Sequence, residues 1–278
     1  MKKVVQATMI GTLPPIQGIS SYCKELASAL QKTVPLEFIT FSHFAPSFAY
    51  AGKKSIANES FEPAWPNVTI RRTLAWFNPF SWWFAGVRAQ GKIVHFHWWS
   101  HLLFPAFFTA LVAAKMSGKK IVCTVHNIET HEKSWLDAVF SRVFFKGVDH
   151  FIVHTEGIKK IFSRAYVVSP QRVHVIPHGV FDFYDNSSTP KQSRKRLNIP
   201  AEAKVLLYFG NMRPYKGMED LIEAFSRLGR EENYYLILAG SPWNQEYARE
   251  IEERVKGLSS VLLKIAYIPE GEVGDYFQ

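Results

Sequence analysis

An α/β fold with parallel sheets is predicted by three features of the sequence. Strand-like apolar runs alternate with helical periods over nearly the whole chain, the order that builds a parallel sheet covered by helices. The first run leads through a glycine- and proline-bearing loop straight into a helical period, as in a β-loop-α unit. After a polar stretch near residues 182 to 196 the same rhythm starts again, which predicts a second domain.

The elements follow in order. Val4 to Met9 reads as a strand, the loop Ile10 to Gly18 carries Gly11, Pro14, Pro15 and Gly18, and Ile19 to Gln31 has apolar residues at Ile19, Tyr22, Leu26 and Leu30. Leu36 to Phe41 is a second strand; Ser47 to Asn67 is polar and irregular, and Val68 to Ile70 resumes extended character. Residues 73 to 91 are aromatic and show no clear period. Strands then start at Ile93, Ile121, His150 and Val173, with helices near Phe104, from about Ser134 to Lys146, and from Glu156 to Tyr166. Asp-Asn-Ser-Ser-Thr-Pro and a basic run have the composition of a linker, so the domains are read as 1–181 and 197–278 with 182–196 between them. The second holds strands at Val205, Tyr234 and Val261, helices over Met218 to Leu228 and Asn244 to Lys256, and a last helix starting near Glu272. Three strands are fewer than the five or six of a doubly wound domain, so this domain is expected to be incomplete.

Composition narrows the function. The 278 residues are 47% hydrophobic and 21% charged, ample for buried cores and unlike a disordered chain. A formal charge of +9 suits an anionic ligand, a membrane face or nucleic acid; the cations are scattered, and no nucleic-acid module is recognisable. Cys23 and Cys123 are the only cysteines, which gives neither a disulfide framework nor a cysteine metal site and points to a reducing cytoplasm. The N-terminus lacks the apolar region of a secretory signal. Trp98 to Ala114 is apolar, but it is short for a span of ~20 residues and lies between two strand-like runs, so it reads as a buried crossover helix.

The densest chemistry lies in Leu206 to Phe225, where a strand, a glycine-bounded loop carrying Arg213 and Lys216, and an amphipathic helix follow one another. Such a loop offers backbone N–H groups, a helix N-terminus and two cations to a diphosphate, although an ordinary βα turn with solvated cations has the same spacing. It is neither a Walker A loop nor a dinucleotide Gly-x-Gly-x-x-Gly.

Phe209-Gly-Asn-Met-Arg-Pro-Tyr-Lys-Gly, with Leu221-Ile-Glu-Ala-Phe after it, resembles the donor-diphosphate loop of family 4 glycosyltransferases of the GT-B fold. Val175-Ile-Pro-His-Gly-Val, Cys123-Thr-Val-His-Asn and Gln17-Gly-Ile-Ser-Ser-Tyr resemble three further motifs of that family in the same order. The resemblance implies two facing Rossmann-like domains that transfer a sugar from a nucleotide-diphosphate sugar to a hydroxyl acceptor, a glycan or a lipid-linked sugar, with retention and without metal or other cofactor. It implies Arg213 and Lys216 as diphosphate ligands that also offset charge on the departing nucleotide, with Gly210 and Gly18 as donor-side backbone positions. His126 is implied as a catalytic residue touching donor sugar or acceptor, a helix-capping histidine being the plain alternative.

The chain departs from the family in three places. Asn211 stands where many members have arginine, Gln17 replaces the first of two glycines, and the Glu-x7-Glu segment that grips donor sugar and ribose does not occur before Gln278. A non-catalytic sugar- or lipid-phosphate-binding fragment of a split or truncated enzyme is therefore the alternative. Pro177-His178-Gly179 reads as a hinge turn, and His126, Glu129, His131 and Glu132 fit no metal signature. Trp76, Phe77, Phe80, Trp82, Trp83 and Phe84, flanked by Arg71, Arg72 and Arg88, are either core or a contact with the inner face of a membrane.

Overall fold

The computed structural model of the chain describes residues 4–14, 16, 18–44, 63–128, 135–182, 184, 187–228 and 233–278, with backbone alone at 135–137. It divides into two compact units, Met1–His178 and Gly179–Gln278. Of the sequence motifs, Gln17, Glu129, His131 and Glu132 lie outside the described residues.

The first unit is a seven-stranded sheet in the order β3-β2-β1-β4-β5-β6-β7: β1 Ala7–Ile10, β2 Leu36–His43, β3 Val68–Ala75, β4 Ile93–Trp98, β5 Lys120–Val125, β6 His150–Val153 and β7 Val173–Val175. All its ladders are parallel. Helices α1 Ser20–Leu30, α2 Pro79–Val87, α3 Phe104–Met116, α4 Trp135–Lys146 and α5 Glu156–Ala165 connect them. A parallel sheet covered on both faces buries every residue of its central strands, and in β4 the five residues from Val94 to Trp98 are all buried. Val94, Phe96 and Trp98 enter one large core with Ile121, Cys123 and Phe107, which leaves His95 and His97 on the opposite face by the strand period of two.

The apolar stretch after Trp98 forms a 3₁₀ turn at His101–Leu103 and then α3, whose Ala106, Phe107, Ala110, Leu111, Ala113 and Ala114 are buried. No helix among the described residues is long and apolar enough to cross a membrane. Residues 73 to 91, periodless in sequence, form the end of β3 and then α2. The period is hidden because α2 is apolar all round. One face, Ala85 and Gly86, packs on α3; the other holds exposed Phe80, Trp83 and Phe84.

One buried carboxylate ties this region together. Glu37 on β2, fully buried, accepts from Thr8 Oγ1 at 2.7 Å, Arg71 Nη1 at 2.8 Å and the Gln90 N–H at 2.9 Å. Thr8 Oγ1 also accepts from the Gly91 N–H at 3.0 Å. A buried charge is tolerable only when its lone pairs are met, and meeting them joins β1, β2, β3 and the C-terminal end of α2.

The second unit is a three-stranded parallel sheet, β10-β9-β8, made of β8 Lys204–Phe209, β9 Tyr234–Gly240 and β10 Val261–Ile265. Its faces are covered separately. Met218, Ile222 and Phe225 of α7 (Met218–Arg227) and Tyr247 and Ile251 of α8 (Gln245–Val255) fill one side; Val273 and Tyr276 of α9 (Glu270–Tyr276) help to fill the other. Residues 190 to 196, expected as linker, instead form the helix α6 (Pro190–Arg196). Thr189 caps it in a reciprocal capping box with Gln192. Asp275 of α9 anchors it by accepting from Ser193 Oγ at 2.7 Å and Arg196 Nη1 at 2.8 Å.

The α2 and α3 backbones approach so closely that a Cβ on Gly86 would stand 2.2 Å from the Ala110 carbonyl oxygen. Gly86→Ala is therefore expected to cost about 1–3 kcal/mol in a denaturant titration; an unchanged midpoint would contradict this packing.

Candidate functional site

The sequence-predicted residues fall into two groups, one on each unit. Gly18 and His126 belong to the first; Gly210, Arg213 and Lys216 belong to the second.

In the first unit the parallel strands all end on one edge, and four of them deliver a histidine there. His97 lies in β4; His126, His154 and His178 follow β5, β6 and β7. Tyr22 of α1 stands among them, its ring centroid 5.7 Å from His97, 4.7 Å from His126, 5.5 Å from His154 and 5.0 Å from His178. His97 Nδ1 meets His126 Nε2 at 3.4 Å, and two strand positions before it His95 Nε2 meets Thr124 Oγ1 at 2.8 Å. The His97 Nε2 atom is buried with no hydrogen-bond partner among the described residues, a polar group that a bound hydroxyl would satisfy. His178, read from sequence as part of a hinge turn, is the last residue of the first unit and also lies against His154, at 5.3 Å. Gly18, at φ +111°, precedes α1 and lies near the Trp99 indole; an added Cβ would sit 3.7 Å from its Nε1.

Burial keeps His95, His97 and His126 uncharged. It lowers His95 to about 4; at His126 burial first, then His154, His95 and His178, lower the value to about 3. His97 is pushed well below its ordinary value by burial and then by its histidine neighbours. Burial likewise raises the Tyr22 phenol to about 12. At neutral pH His95, His97 and His126 are therefore neutral and the Tyr22 phenol is protonated, suited to hydrogen-bonding hydroxyl groups rather than to fixing an anion by charge. Among the described residues no group of three or more His, Cys, Asp or Glu is placed to hold a metal ion.

In the second unit, β8 runs into Gly210 at φ +125°, a 3₁₀ turn over Pro214–Lys216, and Gly217 at φ +68°, which opens α7. The loop is pinned on three sides. The Gly210 N–H donates to the Ala239 carbonyl at 2.9 Å, the Met212 N–H to the Ser241 carbonyl at 2.8 Å, and the Tyr208 hydroxyl to the Asn211 carbonyl at 2.9 Å. The Arg213 guanidinium lies 3.9 Å over the Trp243 ring, while Lys216 is exposed. Two left-handed glycines thus bracket a short turn carrying two cations and hand it to a helix N-terminus, where backbone N–H groups face outward.

Several contributors escaped sequence reading. Gly240 ends β9 so close to the loop that an added Cβ would meet the Gly210 oxygen at 1.7 Å; a glycine at the end of an adjacent strand, followed by Ser-Pro-Trp, was the available signal. Trp243 was visible only as one more aromatic residue. His97 and His154 sit at strand ends, which is the signal that singled out His126.

Because the unfolded chain binds protons below the ordinary histidine value near 6.5 while folded His95 and His126 do not, stability should fall as pH drops from 6.5 toward 4, by up to about 1.4 kcal/mol per pH unit for each histidine. The melting temperature is expected to drop less over that range in the double variant His95→Gln, His126→Gln than in the wild type; equal drops would contradict neutral burial.

Comparison with known proteins fits this geometry. The family model described as Glycosyltransferase Family 4 matches residues 16–181, and the one described as Glycosyl transferases group 1 matches residues 190–277. A D-inositol 3-phosphate glycosyltransferase of Kineococcus radiotolerans is 30% identical over 108 residues, 38% of this chain and 22% of its own length. One of Acidothermus cellulolyticus is 20% identical over 185 residues, 61% of this chain and 40% of its own. The chain thus spans less than half the length of these relatives. A glycosyltransferase structure from Rickettsia africae superposes with a TM-score of 0.67 at 16% identity, covering 96% of this chain and 69% of its own. The Anabaena HepE structure with UDP and glucose gives 0.66 at 14%, covering 96% and 70%. The fold is that of these GT-B glycosyltransferases, and with the first family model matched over more than half of its residues the chain belongs to Glycosyltransferase Family 4.

Proposed function

We propose that this chain carries out, or forms the greater part of an enzyme that carries out, transfer of a sugar from a nucleotide-diphosphate sugar to a hydroxyl acceptor, with retention of configuration. The observation that carries the reading is the loop from Gly210 to Gly217, two positive-φ glycines bracketing Arg213 and Lys216 at the start of α7. A diphosphate there receives backbone N–H groups and two cations, and the same cations offset charge gathering on the departing nucleotide without a metal. The HepE structure, which holds UDP and glucose, supports this class of donor. Asn211 in place of the usual arginine leaves the guanidinium role to Arg213, and Trp243 beneath it fixes its plane.

The first unit takes the acceptor. His126, neutral and packed on Tyr22, donates or accepts a hydrogen bond at a sugar hydroxyl, and His97 orients it through their shared contact. Gly18 lets backbone approach the bound sugar. Glycans and lipid-linked sugars both fit such hydroxyl recognition. The named relatives act in part on an inositol phosphate, which agrees with a polyhydroxylated acceptor. Work in the cytoplasm, at the inner face of a membrane, completes the reading.

Calorimetric titration of the chain with nucleoside diphosphates tests it. Binding is expected, and Lys216→Ala should weaken it about tenfold or more, the loss of one charge-assisted contact of about 1.5–3 kcal/mol. Absence of any nucleotide binding would favour a sugar- or lipid-phosphate-binding fragment without donor function.

A further inference from the structure

We infer that the outward face of α2 is a membrane-docking ridge that seats the first unit on an anionic lipid surface. This deepens the acceptor side of the proposed function and rests on its membrane location. The ridge is defined by spacing. Phe80, Trp83, Phe84 and Val87 recur at the intervals that place residues on one side of α2, Trp76 and Phe77 stand in the turn just before it, and all six are exposed, Phe80 by 74% and Phe77 by 58%. Opposite them, Ala85 and Gly86 are buried against α3, so α2 is apolar towards the interior and towards solvent alike.

The ridge is held rigidly. The Asn78 side chain caps α2, accepting from the Phe80 N–H at 3.1 Å; Trp82 Nε1 donates to the Ala75 carbonyl at 2.7 Å; and the Glu37 carboxylate takes the Gln90 N–H just beyond the helix. Large aromatic side chains presented this way cost little ordering entropy when they enter an interface, unlike those of a loose loop.

Charge decides what the ridge meets. From Pro63 to Ile128 the chain has no Asp or Glu and seven Lys or Arg. Arg88 and Lys92 lie just past the ridge, the Arg88 guanidinium 4.5 Å over the Phe84 ring, and both are exposed. Aromatic rings with adjoining cations match the headgroup boundary of an anionic bilayer, where rings enter and cations stay at the phosphates. A second copy of the chain fits less well, because a two-fold contact sets like patches against each other and would bring Arg88 and Lys92 towards their counterparts with no acidic residue in the stretch to meet them. The nine residues of α2 extend about 13 Å, so the helix lies along the surface and does not span.

The test is co-sedimentation of the full chain with vesicles of phosphatidylcholine alone and of phosphatidylcholine mixed with phosphatidylglycerol, at low and high salt. The wild type is expected to pellet with the anionic vesicles, less so at high salt. The variant Phe80→Ser, Trp83→Ser should partition about tenfold more weakly, and Arg88→Gln should bind with a smaller preference for phosphatidylglycerol. Nucleoside-diphosphate affinity, measured on the same preparations, should be equal in wild type and variants; this separates a failed ridge from a failed donor site. Wild type and double variant partitioning alike would overturn the proposal, as would a concentration-dependent dimer that the double variant dissolves without vesicle binding by either.

Discussion

Parallel pairing is the constraint on which the chemistry of the first unit depends. Every strand from β1 to β7 runs the same way, so every strand ends on one edge, and residues far apart in sequence meet there without any local motif to announce them. His97, His126, His154 and His178 stand 24 to 29 residues apart and converge on one tyrosine, Tyr22. Burial then sets the protonation of His97 and His126. Because β4 has no solvent face, His95 and His97 are driven to the neutral form, and His126 next to them follows.

The second unit solves a different problem with the same geometry. Its sheet holds in place a loop that carries the two cations Arg213 and Lys216. Gly240 allows β9 to come up against Gly210, and hydrogen bonds from Gly210 and Met212 to the chain after β9 fix the turn. Arg213 is steadied on Trp243. The first turn of α7 carries Glu219 and Asp220, which favour the helix dipole before any ligand arrives.

How much of this was readable in the sequence follows from where each signal comes from. Alternating apolar runs gave the strands and most helices, because burial imposes a period that survives in one dimension. Helix α2 was missed because it is apolar on both sides and has no period to show. Helix α6 was missed because the basic run Lys191 to Arg196 looks like solvated linker; its capping box, Thr189 with Gln192, was there to be read, but its anchor Asp275 lies 79 residues beyond Arg196. Among the candidate-site residues, the loop glycines and Lys216 were singled out through local motif, which nothing beyond their position in the loop tests. His97, His154 and Gly240 were not, since topology alone brings them to their places.

The claim that organises the whole account is that the Gly210 to Gly217 loop holds a diphosphate. Its most direct test is amide NMR of the isotope-labelled chain titrated with common nucleoside diphosphates and the corresponding monophosphates. The account predicts that the amides of Gly210, Gly217 and Met218 shift strongly with a diphosphate and weakly with its monophosphate. Unmoved loop amides at saturating diphosphate, or equal shifts with both ligands, would contradict it.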